Sequence, residues 1–374
     1  MNFLAKILFK ILKQKKEKFV FTSYPDFSDN SFSFFYFLSK NYNFEAIWLI
    51  DSFKQLRYFK KIIKKRDIRT KVKFVQKKSI QGLYHYLTAG LVFTTHGLYR
   101  RIGRIYNHNV INLWHGMPLK KIEKLDLNNY TFPDTSNKYI VTSKFFKKQF
   151  IKIFDTSNDS ILITGLPRND FLLNGEINIR DLFEISQHGK VILWMPTFRD
   201  GTNIQNDIFS KKNMVKFNNF LKDNNSYCIL KLHPRDKSDL SEIKNFQRIK
   251  FLNDSQLKEK GIFLYEILNS IDLLITDFSS VYIDFLLLDK PILFFSPDKD
   301  FYEKSRGFIF ENINELIPGD FLFTIEDLIS SLEVFIAKND IFYEKRYKIK
   351  SLFHDIDKDF SEKLYDQIIY ENKK

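Results

Sequence analysis

The chain has a single cysteine, Cys228, among 374 residues. One thiol cannot close an internal disulfide. No Cys or His spacing of the zinc-binding kind accompanies it, so neither a disulfide framework nor a structural zinc site is expected. Its setting, Tyr227-Cys228-Ile229-Leu230, is an apolar run and reads as a buried core thiol. No stretch reaches the roughly 18 apolar residues that a membrane-spanning helix needs. A glycine-rich dinucleotide loop, a Walker motif and a Gly-x-Ser-x-Gly nucleophile elbow are also missing. Internal repeats and low-complexity linkers are absent.

What the chain does have is positive charge. Lys and Arg number 59 against 45 Asp and Glu, a formal net charge of +14. Such a balance calls for an anionic partner: nucleic acid, anionic lipid or a phosphate-rich substrate. The lysines are scattered rather than striped and no nucleic-acid motif is recognisable, which argues against nucleic acid. Hydrophobic residues make up 44%, enough for ordinary cores, and the length fits two domains of roughly 150 to 200 residues each. The 41 Phe and 18 Tyr read as compositional bias, not as function.

Residues 1–17 form a separate segment. Phe3, Leu4, Ile7, Leu8, Ile11 and Leu12 fall at helical spacing, with Lys6, Lys10, Lys13, Lys15 and Lys16 between and after them. No small-residue cleavage site follows, so a signal peptide is not expected. Two readings stand. One is a basic amphipathic helix lying on an anionic membrane surface, which the spacing favours; the other is a helix packed on the protein itself.

Beyond it, short apolar runs alternate with amphipathic stretches. Strands are expected at Phe19–Ser23, Ala46–Ile50, Val72–Val75, Leu91–Thr94, Val110–Leu113, Tyr139–Thr142 and Ile161–Thr164. The series restarts with Val191–Met195, Tyr227–Leu232, Leu273–Thr276 and Ile292–Phe295. Helical patterns lie between many of them, which argues for parallel α/β units. Gly165-Leu166-Pro167-Arg168 punctuates the two series. The expected domains are therefore 18–165 and 166–374, the second carrying a charged helical tail. Each should present its strands' carboxyl ends to a shared central cleft, where open parallel sheets bind ligands.

Four segments share one design, an apolar strand followed at once by polar or ionisable residues. Val110–Leu113 leads into Trp114-His115-Gly116 and then Lys120-Lys121. His115 is placed to accept a proton near neutral pH, or it is a structural loop histidine. Tyr227–Leu232 leads into His233-Pro234-Arg235; with Lys231 and Arg235 beside it, His233 suits a diphosphate. Leu273–Thr276 leads into Asp277-Phe278-Ser279-Ser280 and a helix, whose start favours anions and whose serines would cap it, bind phosphate, or both. Trp194-Met195-Pro196-Thr197-Phe198 leads into Arg199, a phosphate fork or an ion pair with Asp200. Arg168 and Arg306, each beside Gly/Pro turns, add cations, and His96 at another strand end is placed to line a cleft.

In order along the chain, these segments resemble the CDP-glycerol:poly(glycerophosphate) glycerophosphotransferase family. The matching residues are Trp114-His115-Gly116 with Pro118-Leu119-Lys120, and Thr164-Gly165-Leu166-Pro167-Arg168-Asn169-Asp170. Pro196-Thr197-Phe198-Arg199, His233-Pro234, Asp277-Phe278-Ser279-Ser280 with Asp284, Lys290-Pro291, Arg306-Gly307 and Pro318-Gly319 complete the set, over roughly residues 18 to 370. The resemblance implies an α/β GT-B-like fold of two Rossmann-like parallel-sheet domains. It implies transfer of glycerol phosphate, or ribitol phosphate, from CDP-glycerol or CDP-ribitol to a hydroxyl of a lipid-linked or polymeric anionic acceptor. CMP is released, in teichoic acid or capsule synthesis, at the cytoplasmic face of the membrane as a peripheral enzyme. His115 would be the base and His233 would meet the donor diphosphate. Arg199, Asp277, Ser279, Ser280, Arg306, Lys231 and Arg235 would hold the donor phosphates. Trp114, Gly116, Lys120, His96 and Arg168 would line the acceptor side. No metal ligands are expected, and a Mg2+ requirement stays open. Met117 stands where the family has a small polar residue, and Phe278 where it has Tyr. The rival readings are a nucleotide-sugar glycosyltransferase of the same fold and a catalytically silent scaffold.

Overall fold

The computed structural model describes residues 2–126, 130–199, 207–236, 238 and 240–370. The chain divides into two compact units. One comprises Met1–Met117, Ile122–Phe171 and Leu352–Lys374; the other comprises Pro118–Lys121 and Leu172–Ser351.

The first unit is built on seven parallel strands in the order β3-β2-β1-β4-β5-β6-β7. They are β1 (Lys15–Thr22), β2 (Glu45–Ile50), β3 (Val72–Gln76), β4 (Ala89–Thr94), β5 (Val110–Asn112), β6 (Lys138–Val141) and β7 (Ile161–Ile163). Successive side chains of a strand point to opposite faces, and β1 uses both. Val20 joins Ile47, Leu49, Val75, Val92 and Val110 on one face. Phe21 stacks with Phe93 (5.2 Å) and Trp48 (5.6 Å) and meets Phe35 edge-on (5.4 Å) on the other. Phenylalanine is thus the packing material behind this sheet.

The helix Asn2–Ile11 covers the aliphatic face. Ala5 and Phe9 are buried in that core, and Leu8 and Leu12 pack against it. Phe9 also meets the ring of His108 at 4.9 Å. Of the side expected to face a membrane, Leu8 and Leu12 are therefore turned inward, while the side chains of Phe3 and Leu4 lie outside the described residues. Ile11 and Lys10 remain exposed.

The second unit holds six parallel strands in the order β10-β9-β8-β11-β12-β13. These are β8 (Lys190–Trp194), β9 (Ser226–Leu230), β10 (Ile249–Phe251), β11 (Leu273–Thr276), β12 (Ile292–Phe295) and β13 (Phe321–Leu322). Both sheets have the doubly wound order that reverses beside the first strand, and ligands bind at that reversal. The edge strands β10 and β13 were not expected. They are three and two residues long.

Two assignments differ from the expected boundaries. The segment Pro118–Lys121 pairs within the second unit: Lys120 bridges Phe308, and the Ile309 N–H donates to the Leu119 carbonyl at 2.9 Å. The C-terminal residues from Leu352 belong with the first unit, not the second. Phe353 packs on Phe146 at 5.0 Å, and Tyr365 stacks on Tyr42 at 4.1 Å. The Asp170 carboxylate accepts the N–H groups of Phe360 and Ser361, both at 3.0 Å. Gly165 has φ +69, and a Cβ there would lie 2.2 Å from the Phe360 ring. Part of the 164–170 motif thus serves to dock the tail.

Candidate active-site residues

At the carboxyl end of the first sheet, β4 runs out into Thr95-His96 and its neighbour β5 into Leu113-Trp114-His115. Trp114 has φ 51, a left-handed conformation that costs a non-glycine residue about 1–2 kcal/mol. Three bonds hold the loop there. The Trp114 N–H donates to Asn112 Oδ1 at 2.8 Å. Asn30 Nδ2 donates to the carbonyls of Leu113 (3.1 Å) and Trp114 (2.9 Å). Gly116 follows at φ 130, a value that favours glycine. The Trp114 ring is buried edge-on against Phe150 and Phe154, so Trp114 shapes the loop from behind.

Arg168 completes the clamp. Its Nη1 donates to the His115 carbonyl at 2.9 Å and pairs with Asp29 at 3.0 Å, and its N–H donates to Asn30 Oδ1 at 3.0 Å. Its side chain is buried, so Arg168 supports the histidine loop in place of the expected acceptor contact. Asp29 and Asn30, which act with it, were not singled out from the sequence.

His115 itself is half-buried. Its Nδ1 lies 3.1 Å from the Thr95 carbonyl. A carbonyl only accepts, so Nδ1 carries the hydrogen, and in the neutral ring the lone pair is on Nε2. His96 stacks flat on His115, centroids 4.1 Å apart at 5°. Burial first, then the charges of His115, Lys77 and Arg100, depress His96 to about 3. It is a neutral ring at working pH.

At the carboxyl end of the second sheet, two of the expected donor residues, Arg199 and Asp277, meet each other. Arg199, after β8, is buried and forms a two-point pair with Asp298: Nε to Oδ2 at 2.6 Å and Nη2 to Oδ1 at 3.0 Å. Its Nη1 meets Asp277, after β11, at 2.9 Å. Asp277 in turn accepts from the Thr197 N–H at 3.1 and 2.9 Å and from the Thr197 hydroxyl. The guanidinium also lies over the Tyr302 ring at 4.6 Å. Burial opposes the charge of Arg199, but Asp277 and Asp298 more than offset it and hold the group well above its usual value. Arg199 is thus engaged by two carboxylates, and Asp277, expected to meet the donor, is here a partner of Arg199 and Thr197. Asp298 was missed, although Ser296-Pro297-Asp298 follows β12 in the same strand-then-polar pattern as the other four.

Phe278 lies beside this network, with the Arg199 guanidinium 5.8 Å from its ring, and is buried among Tyr302, Phe308 and Phe321 at 4.8 to 5.4 Å. The two serines precede a helix of only five residues, Val281–Phe285. Ser280 makes no side-chain capping bond, and Ser279 Oγ is at 3.5 Å from the Val281 N–H. Both are half-exposed, so capping does not use up their hydroxyls. Lys120 is half-buried with Nζ over the Tyr302 ring at 5.7 Å. Burial pulls it down to about 8, against Asp277 and with help from Arg199 and Arg306. By that electrostatic coupling Lys120 belongs with the second-unit residues rather than the expected acceptor set. Arg306 is exposed at the end of the helix Lys299–Arg306.

His233, after β9, is exposed and stacks on Phe198 at 5.2 Å. The Arg235 N–H donates to its Nδ1 at 3.1 Å. An amide N–H only donates, so Nδ1 is the acceptor and Nε2 bears the hydrogen. This is the reverse of His115. Burial, followed by Arg235 and Lys231, lowers the pKa of His233, which keeps it a neutral donor. Arg235 is exposed beside it. Lys231 is buried and spoken for by Asp254 at 2.7 Å, so it supports the loop and is not an open phosphate ligand. Among the described residues, no group of three or more His, Cys, Asp or Glu could hold a metal ion.

Over 87% of its length the chain is 28% identical to a teichoic acid poly(glycerol phosphate) polymerase of Bacillus spizizenii, covering 86% of that protein. It is 26% identical to a teichoic acid poly(ribitol-phosphate) polymerase of the same organism, over 97% of this chain but 58% of the relative's own length. The solved structure of the wall teichoic acid polymerase TagF matches 99% of this chain and 92% of its own, with a TM-score of 0.76 at 22% identity, which shows a shared GT-B-like fold. A family description matches residues 4–370, and the chain belongs to the CDP-glycerol:poly(glycerophosphate) glycerophosphotransferase family.

Proposed function

We propose that the chain transfers an alditol phosphate from a CDP-alditol, CDP-glycerol or CDP-ribitol, to a hydroxyl of an anionic polymer or lipid-linked acceptor of teichoic acid or capsule synthesis. The observation that carries this reading is the fixed imidazole of His115, whose Nδ1–H is tied to the Thr95 carbonyl. His115 Nε2 takes the proton from the acceptor hydroxyl. That oxygen forms a bond to the donor's β-phosphorus. The bond from that phosphorus to the bridging oxygen breaks, and CMP leaves with the electron pair. Charge develops on the phosphoryl oxygens and the leaving phosphate, and fixed donors stabilise it. His233, through Nε2–H, is the neutral donor to the diphosphate, with Arg235, Arg306 and Lys120 as cations. Ser279 and Ser280 offer hydroxyls to the same phosphates. Arg199 and Asp277 hold β8 and β11 in register for them.

The family membership and the polymerases among the relatives support the donor class. A net charge of +14 suits an anionic acceptor and an anionic lipid surface. Peripheral attachment at the cytoplasmic face rests on that charge and on exposed Lys10 and Ile11, since Leu8 and Leu12 pack inward.

The test is CMP release from CDP-glycerol, CDP-ribitol and a panel of nucleotide sugars, with glycerol-phosphate-primed lipid analogues and capsular fragments as acceptors. Wild type, His115→Ala and His233→Ala are compared, with and without EDTA. CMP from one CDP-alditol, lost in both variants, names the donor. Release of UDP or GDP from a nucleotide sugar overturns the proposal and promotes the glycosyltransferase reading. The EDTA arm decides whether Mg2+ shares the neutralisation.

A further inference from the structure

Thr95 touches both imidazoles at the carboxyl end of the first sheet, those of His96 and His115. Its carbonyl accepts His115 Nδ1–H at 3.1 Å. Its hydroxyl oxygen accepts the Tyr24 N–H at 3.3 Å and lies 2.9 Å from His96 Nδ1. The hydroxyl therefore ties the backbone of Tyr24 and the ring of His96 to the same residue whose carbonyl holds His115. Thr95 thus fixes the hydrogen of His115 on Nδ1 and anchors His96 Nδ1 beside it. The adjacent strands bring this about, because β4 and β5 pair Thr94 with Asn112. His96 lies two residues past the first and His115 three past the second. Thr95 is fully buried and cannot be reoriented by solvent.

We propose that His96 is a positioning residue for His115: a neutral ring stacked on the base, which fixes the plane and tautomer of His115 and keeps its Nε2 presented to the acceptor hydroxyl. The inference rests on the reading of His115 as the base. The stack leaves His115 only rotations that keep the rings parallel, and the Thr95 carbonyl selects one of them. When Nε2 takes the proton, the positive imidazolium lies against a neutral ring 4.1 Å away and not against a second cation. Burial that holds His96 near 3 supports that pairing. Tyr24 closes the far side of the stack, edge-on to His96 at 5.8 Å.

The expected signature is a split between kcat and KM. A misplaced base costs up to about a hundredfold in rate. His96→Ala should therefore lower kcat by about tenfold to a hundredfold while KM for the CDP-alditol stays within about twofold, the pattern of a lost transition-state contribution. His96→Phe keeps a flat ring in the stack and should recover most of the loss. An independent readout is the tautomer of His115, from imidazole proton–nitrogen NMR on protein labelled at its 7 histidines. The wild type should show the Nδ1–H form, His96→Phe should retain it, and His96→Ala should show both tautomers.

Full activity in His96→Ala with the Nδ1–H form intact, beside an inactive His115→Ala, overturns the role of His96 and leaves the base assignment standing. Activity in His115→Ala overturns the base assignment itself. Loss in His96→Ala that Phe does not recover, with the His115 tautomer unchanged, assigns His96 to folding and also overturns the inference.

Discussion

The buried Arg199 network sets a prediction whose size follows from its geometry. Asp277→Asn removes the charge from a carboxylate that is 1% exposed and that meets Arg199 at 2.9 Å and the Thr197 N–H at 2.9 and 3.1 Å. Nothing else changes in volume. Removing one partner of a buried pair costs about 3–5 kcal/mol, because the other charge stays buried. Arg199 keeps Asp298 as a two-point partner, so the lower end of that range applies. For a unit of this size, 1 kcal/mol moves the melting temperature by about 2–4 °C. A loss of roughly 3 kcal/mol therefore lowers Tm by about 6–12 °C.

Scanning calorimetry of wild type, Asp277→Asn, Arg199→Met and the double variant measures this. The double-mutant cycle should give a coupling of about 1.5 kcal/mol or more, since neighbours in one network are not additive. Donor binding by the variants should fall only as far as the fold loosens. A Tm within about 2 °C of wild type, the behaviour of an exposed pair, together with complete loss of CDP-alditol binding, would refute the scaffold role and return Asp277 to the donor.

Other perturbations test the remaining parts. Lys120 is held near 8 by burial, so its ammonium is lost as pH rises through that value. CDP-alditol affinity measured by calorimetry should weaken between pH 7 and 9, and Lys120→Arg should bind with no such slope. An amide at the end of Gln reproduces the Nε2–H of His233 but cannot act as a base. His233→Gln should thus keep about a tenth or more of wild-type activity, whereas His115→Gln falls by about 10²–10⁴, the usual share of a general base. Gly165→Ala forces φ +69 on a residue with a Cβ, 2.2 Å from Phe360. It should release the C-terminal helices, seen as faster proteolysis after Phe353.

The strands of both sheet centres were legible because each is an apolar run that ends in a turn. Helix Asn2–Ile11 was legible as a helix, but its burial was not. Spacing marks an apolar face without saying whether lipid or the sheet residues Val20, Val92 and Val110 cover it. The tail was misplaced for a related reason. Phe353 and Tyr365 dock through a few aromatic contacts, and Phe360 through Asp170, 190 residues earlier. No local pattern encodes a partner at that distance. Arg199, Asp277, Lys231 and Arg168 were picked out correctly as charged groups at strand ends. Their partners Asp298, Asp254 and Asp29 were not, and those carboxylates turn candidate ligands into supports.

The two histidines show the limit most sharply. Each follows an apolar strand and lies beside a Gly or Pro, with cations nearby, so the sequence presents them as alike. What separates them is a single backbone group. A carbonyl of Thr95 faces Nδ1 of His115, and an N–H of Arg235 faces Nδ1 of His233. A backbone carbonyl cannot donate and a backbone N–H cannot accept, so the hydrogen is forced onto Nδ1 in one ring and onto Nε2 in the other. One ring then offers a lone pair and the other a hydrogen at the same Nε2 position. Phosphoryl transfer to a hydroxyl needs one of each, a group to take the acceptor's proton and a group to bind the diphosphate. The backbone thereby gives two like residues unlike chemistry.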